Sequence, residues 1–215
     1  MTSIEPKIRR RLLLSTAYFA PLQYYSQMLS DEVAVVIEKY ENFNKQSYRN
    51  RCTIYTANGL LDLVVPVAKS YKPKIPVTEV EISYDMPWQK QHFKAIESAY
   101  RRSPFYEYYI DDLMPFFNNR YKYLYQFNMQ IFEKMCNLID IPFNIEESSN
   151  YVVATNDGDI IDLRNKIHPK VDTTNTYNSP RYTQVFAASW GFKPNLSILD
   201  LLFNTGYEAK KKLTA

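Results

Sequence analysis

Glycine is the first thing this sequence is short of: four residues in 215, Gly59, Gly158, Gly191 and Gly206, none near another. Phosphate loops of the GxGxxG or GxxxxGK[ST] type need clustered glycines so that backbone N–H groups can approach the oxygens. Neither a standard dinucleotide fold nor a P-loop NTPase fits. Cysteine and histidine are scarce too. Cys52 and Cys136 form no CxxC pair, and with only His92 and His168 beside them no zinc ligand set emerges, so neither metal nor cofactor is expected. Nothing in this cysteine usage points to an oxidising compartment.

Charge of one sign is lacking as well. With 26 basic and 23 acidic residues the net charge is +3, too little for attraction to a polyanion to dominate, and nucleic acid is not an expected partner. No apolar run approaches the length of a membrane span, so no insertion into a bilayer is expected. The opening "RRRLLLSTAYFA" resembles a basic region followed by a short apolar one, but Ser15 and Thr16 interrupt it. A cytoplasmic protein is the expectation rather than a secreted one.

What the chain does have is aromatic surface. Nineteen Tyr and twelve Phe supply side chains with an apolar body and a polar edge, suited to a core and to a polar cleft alike. An apolar share of 46% and a charged share of 23% are those of a globular chain, and the length fits a single domain over 1–215.

The periodicities predict an α/β fold. "RLLLSTAYF" (11–19) reads as a buried strand, "LQYYSQML" after Pro21 as a short helix, and "DEVAVVIEKY" (31–40) as a second strand buried on both faces. Asn58-Gly59, between "RCTIYTA" and "LLDLVVPV", predicts a type I′ hairpin with Ile54 opposite Leu63. Cys52, Ile54, Leu61, Leu63, Val65 and Val67 then share the core face, and Arg49, Arg51, Thr53 and Tyr55 the outer one. "VTEVEIS" (77–83) alternates like a further strand. Three helical stretches follow, the first over about 86–102 with Asp85 as cap. "YVVAT" and "IIDL" suggest a small hairpin about Asn156-Asp157-Gly158, and 165–182 reads as a long surface loop. A C-terminal helix is capped by Ser197, with Asp200 at capping-box spacing and Gly206 at its end. The class is thus a mixed sheet opening with strand, helix, strand and a hairpin, several helices in the middle and a helix at the C-terminus.

Few side chains are placed for chemistry. Lys45, Arg49 and Arg51 at the open end of the hairpin, with Lys69, Lys72 and Lys74 returning on the partner strand, form either an anion seat or a solvated face that discourages edge pairing. Glu38 ends an apolar strand where open α/β sheets bind ligands, or simply meets water. His92 is a candidate general acid or base, but it shares a helix face with Trp88 and Ile96, as a core histidine would. Asp200 and Asn204, spaced i,i+4, present two polar groups on an apolar helix unless Asp200 only caps it. His168 could act only if its loop closes over a site. No Ser/His/Asp or Cys/His order supports covalent catalysis.

Taken together, "YFAPLQYYSQML" (18–29), "VVIEKYENFNKQSYRNRCTI" (35–54), "LVVPV" (63–67), "MPWQKQHFKAIESAYRRSPFYEYY" (86–109) and "GFKPNLSILDLLFNTG" (191–206) resemble the WbqC-like family of bacterial proteins. The resemblance falls on Pro21, Gln23 and Tyr24; on Lys45, Ser47, Arg49 and Arg51; on Trp88 and His92; and on Asn195, Ser197, Asp200, Asn204 and Gly206. It implies a place in surface-polysaccharide (O-antigen) synthesis and a glycan-modifying transferase role. On that reading the partner is a small anionic metabolite or activated sugar or acyl donor. Arg49 and Arg51 would hold the anion, Glu38 or His92 would serve as base, and Gln23, Tyr48 and Asn204 would orient polar groups. The other expectation is a non-catalytic binding or scaffold protein of an envelope complex.

Overall fold

The computed structural model describes residues 10–69, 74–153, 158–173 and 175–214. β1 (Arg10–Leu14), α1 (Leu22–Met28) and β2 (Val33–Ile37) form the expected opening unit, with β1 parallel to β2 and Leu12 opposite Val35. β1 ends at Leu14, sooner than the apolar run. The chain there leaves the sheet so that the Tyr18 N–H donates to the Tyr48 carbonyl at 2.9 Å.

The hairpin comprises β3 (Arg51–Thr56) and β4 (Gly59–Val64), and its register is two residues away from that predicted: Ile54 faces Leu61 and Thr56 faces Gly59. A type I′ turn needs positive φ at both central residues. Here only Gly59, at φ 98°, adopts it, because the Thr56 hydroxyl accepts from the Asn58 N–H at 3.3 Å and donates to the Gly59 carbonyl. A slip of two preserves the faces. Cys52, Ile54, Leu63 and Val65 are buried as expected, whereas Leu61 is exposed. Tyr55 departs from its predicted outer position because the 186–191 segment covers that side, its hydroxyl lying 2.8 Å from the Gly191 carbonyl.

Residues 77–83 are not a strand. A 3-10 turn spans Val77–Glu79, followed by single bridges at Glu81 and Ile82. Pro76 and the Val77 N–H, which donates to the Glu41 carbonyl, set the turn, while Val77, Val80 and Ile82 still reach the core. α2 (Trp88–Tyr100), α3 (Tyr106–Asn118) and α4 (Leu124–Leu138) follow, each with one buried stripe. Pro87 occupies the N-cap of α2, and Asp85 instead accepts from Ser83 at 2.7 Å.

β5 (Ile145–Glu147) adds to β2, and β6 (Ile160–Asp162) pairs parallel to β1, so the four-stranded sheet has the order β5-β2-β1-β6. The "IIDL" segment is therefore an edge strand of the main sheet rather than a hairpin arm; the proposed turn at 156–157 lies outside the described residues. After β6 the chain runs through turns as expected, then α5 (Ala187–Trp190), α6 (Ile198–Thr205) and α7 (Ala209–Leu213). Ser197 caps α6, accepting from the Leu199 N–H. The capping box is not closed, because the Ser197 N–H already donates to Thr53. α6 is buried almost all round, and one apolar cluster joins it to the sheet, the hairpin and α2 to α4. Among the described residues no helix is long and apolar enough to cross a membrane.

Candidate functional site

The connections from β1 lead by way of α1 to β2 and then to β5 on one side, whereas β6 lies on the other side of β1. The carboxyl ends of β1 and β6 thus form a topological switch point, the place where open parallel sheets leave a crevice for ligands. A crevice is there. Leu14, Ser15, Thr16 and Ala17 beyond β1 make one wall and Leu163, Arg164 and Ile167 beyond β6 the other, with Tyr24 from α1 and Tyr48 and Arg49 ahead of β3 closing it. Its cavity is about 10 Å³, room for one water.

Two buried charge clusters flank it. Arg49 Nε donates to Glu41 Oε1 at 2.8 Å, and Nη2 donates to Glu41 Oε2 and, at 2.7 Å, to Ser15 Oγ. Burial raises the Glu41 pKa, and the Arg49 fork and the Ser15 hydroxyl oppose that rise. On the β6 side, Arg164 Nε and Nη2 donate to the two Asp162 oxygens at 3.0 and 2.6 Å, and Nη1 reaches Glu38 Oε2 at 3.4 Å. Burial pushes the Asp162 carboxyl up, but Arg164 outweighs it and the net shift is downward. Thr16 lines the same crevice and is 2% exposed, and its hydroxyl has no hydrogen-bond partner among the described residues. An orphaned buried hydroxyl facing a cavity is what a ligand would satisfy.

Of the residues expected from sequence, Tyr24, Tyr48 and Arg49 line the crevice. The Tyr24 hydroxyl donates to the Ser15 carbonyl at 2.8 Å, and burial pushes the Tyr48 phenol up to about 12. Arg49 does not project outward with Arg51. It precedes β3, so strand alternation does not govern it, and Gln46 just before it has φ 59°. Arg51 stays on the outer face, paired with Asp62 at 3.2 Å. Lys45, Lys69 and Lys74 are exposed, and Lys72 lies outside the described residues.

Glu38 is wholly buried behind Arg164. Its Oε1 accepts from the Tyr40 N–H and the Ser148 hydroxyl, and its Oε2 from the Val152 N–H and Arg164. His92 belongs to the core, with Nδ1 2.9 Å from the Tyr18 hydroxyl and the ring against Trp88; burial lowers its pKa to about 4, opposed by a bond to the Val64 backbone. Gln23 donates its N–H to Asn195 Oδ1 at 2.9 Å, which fastens α1 to the entry of α6. Asp200 is buried and accepts from Tyr182 at 2.7 Å and Gln184 at 3.0 Å. Burial raises its pKa to about 6 against these donors and Tyr100. Asn204 faces a separate cleft of about 330 Å³ with Phe105, Tyr182 and Tyr207. The candidates therefore divide between the crevice, the core, α6 and the outer surface of the hairpin end.

Sequence reasoning missed Glu41, Asp162 and Arg164 as site residues, since ionic partners distant in sequence leave no periodic trace. Ser15 and Thr16 did leave one, as the pair of hydroxyls interrupting an apolar run.

A four-stranded parallel sheet with a polar crevice at its switch point, beside a β-hairpin and packed helices, defines a mixed α/β protein. The model of the WbqC-like protein family matches residues 16–175 and 168–212, and the chain belongs to that family. It is also similar to a Mycobacterium tuberculosis protein named uncharacterized protein Rv1507c, 24% identical over 224 residues that cover 93% of this chain and 96% of that one. No solved structure matches.

Proposed function

We propose that this is a cytoplasmic transferase-type enzyme of bacterial surface-polysaccharide (O-antigen) synthesis. It binds an anionic activated donor, a nucleotide sugar or an acyl or aminoacyl compound, at the β1/β6 crevice. The observation that carries this reading is the unpartnered Thr16 hydroxyl in a crevice at the switch point that Arg49 and Arg164 also line. In the transfer, an acceptor hydroxyl forms the new bond to the transferred group, and the donor's anionic leaving group departs with the electron pair of the bond that breaks. The hydroxyl proton passes to Glu38. The longest of its four contacts is the one to Arg164, at 3.4 Å, so a ligand that draws that guanidinium to itself opens one acceptor position on Oε2, which keeps its bond from the Val152 N–H. Because the cavity now admits only a water, donor binding requires the Leu163–Ile167 wall to move outward.

Thr16→Val keeps the shape and removes the orphan. Without ligand it should stabilise the protein by about 1 kcal/mol, while weakening donor binding about tenfold. Thermal-shift measurements on both proteins with nucleotide sugars, acyl-CoA and aminoacyl donors check this; no stabilisation of wild type by any donor overturns the proposal. The occupied state of Glu38 favours a second reading, a binding protein without catalysis. Stoichiometric donor binding with no transfer or hydrolysis would select it.

A further inference from the structure

The loop after β6 does not stand off in solvent. Lys170 Nζ donates to Gln46 Oε1 at 2.6 Å, so the loop is fastened to the segment that carries Arg49 and Arg51. His168 is half-buried beside it. Its Nδ1 accepts from the Lys170 N–H at 3.2 Å, which places the neutral ring's proton on Nε2 as a donor. On the hairpin side, Arg51 Nε is buried with no partner among the described residues, and the ion pair to Asp62 runs through Nη1.

We propose that His168, Lys170 and Arg51, with Arg49 behind them, form a seat for a phosphoryl group at the mouth of the crevice. The seat rests on the donor-binding reading above and identifies the donor's anion as a phosphate ester. The charged groups around His168 bear this out. Its proton affinity is lowered first by burial and then by Arg49, Lys170 and Arg51. Those cations act although Glu41 pairs with Arg49 and Asp62 with Arg51. The potential there is positive, and an anion is drawn to it. Donors arriving from the loop and from the hairpin suit the divergent oxygens of a tetrahedral phosphate; a planar carboxylate has two oxygens to offer. A dianion beside the ring raises its proton affinity again, so binding takes up a proton and tightens as the pH falls through neutrality.

Titration calorimetry with uridine diphosphate and inorganic pyrophosphate, in buffers of different protonation enthalpy, reads this directly. Wild type should take up more protons than His168→Asn, the difference cancelling protonation of the probe itself. His168→Asn and Lys170→Gln should each bind about tenfold more weakly, with an unchanged unfolding temperature in the absence of probe. Equal proton uptake and equal affinity in wild type and His168→Asn would remove the seat and leave the donor site standing, as would acetate binding as tightly as pyrophosphate. If neither these probes nor any donor binds wild type, the seat and the proposed function fall together.

Discussion

Two buried ionisable side chains outside the crevice, Asp200 and His92, act on stability with opposite sign. Asp200 is raised from 3.8 to about 6 on folding, so the native state binds its proton more tightly and this group adds stability as the pH falls from 7 toward 4. His92 is lowered from 6.5 to about 4, so the unfolded chain is protonated first and stability is lost over the same window. Each amounts to about 3 kcal/mol, and the two nearly cancel. Chemical unfolding of Asp200→Asn between those pH values should therefore show stability falling with pH where wild type stays nearly level. A mutant as level as wild type would contradict the burial of Asp200. The spacing that suggested a cap or a paired polar face on α6 could not reveal that Tyr182 and Gln184 arrive at that carboxylate from a distant loop.

At the scale of elements, helices were the most legible parts, because apolar spacing and prolines act within a few residues. The helix beginning at Trp88 kept its predicted face of Trp88, His92 and Ile96, continued by Ala99 and Tyr100, even though its cap differed. Turns and short strands depended more on particular contacts: one threonine hydroxyl moved the hairpin by two residues, and residues 77–83 kept their inward side chains without a ladder. The end of α6 is also decided by a contact. Gly206 has φ 56°, and a Cβ there would lie 2.4 Å from Phe105 Cδ1. Gly206→Ala combines backbone strain with overpacking and should cost about 2–3 kcal/mol in denaturant unfolding. Gly59→Ala, with positive φ but open space around it, should cost only about 1 kcal/mol.

Across the whole molecule, Arg164 ties β6 and its loop to the ends of the sheet. Arg164→Met leaves Glu38 buried without its cation and Asp162 without either of its guanidinium bonds, and should destabilise by about 3–5 kcal/mol. Hydrogen exchange should rise first in 163–173 if the guanidinium is the latch; a uniform rise over the sheet would show only general loss of stability. The strand-helix-strand opening, the helices and most of the inward face of the hairpin followed from the sequence alone, since each is written in neighbouring residues. The crevice did not. Its walls come from segments about 150 residues apart, and whether Arg49 meets water or a carboxylate depended on Glu41, which periodicity does not mark. Local propensity and patterning settled the helices and the opening strands. Only tertiary packing settled which charges they bury together, because the desolvation that makes those charges matter exists only once the chain has closed over them.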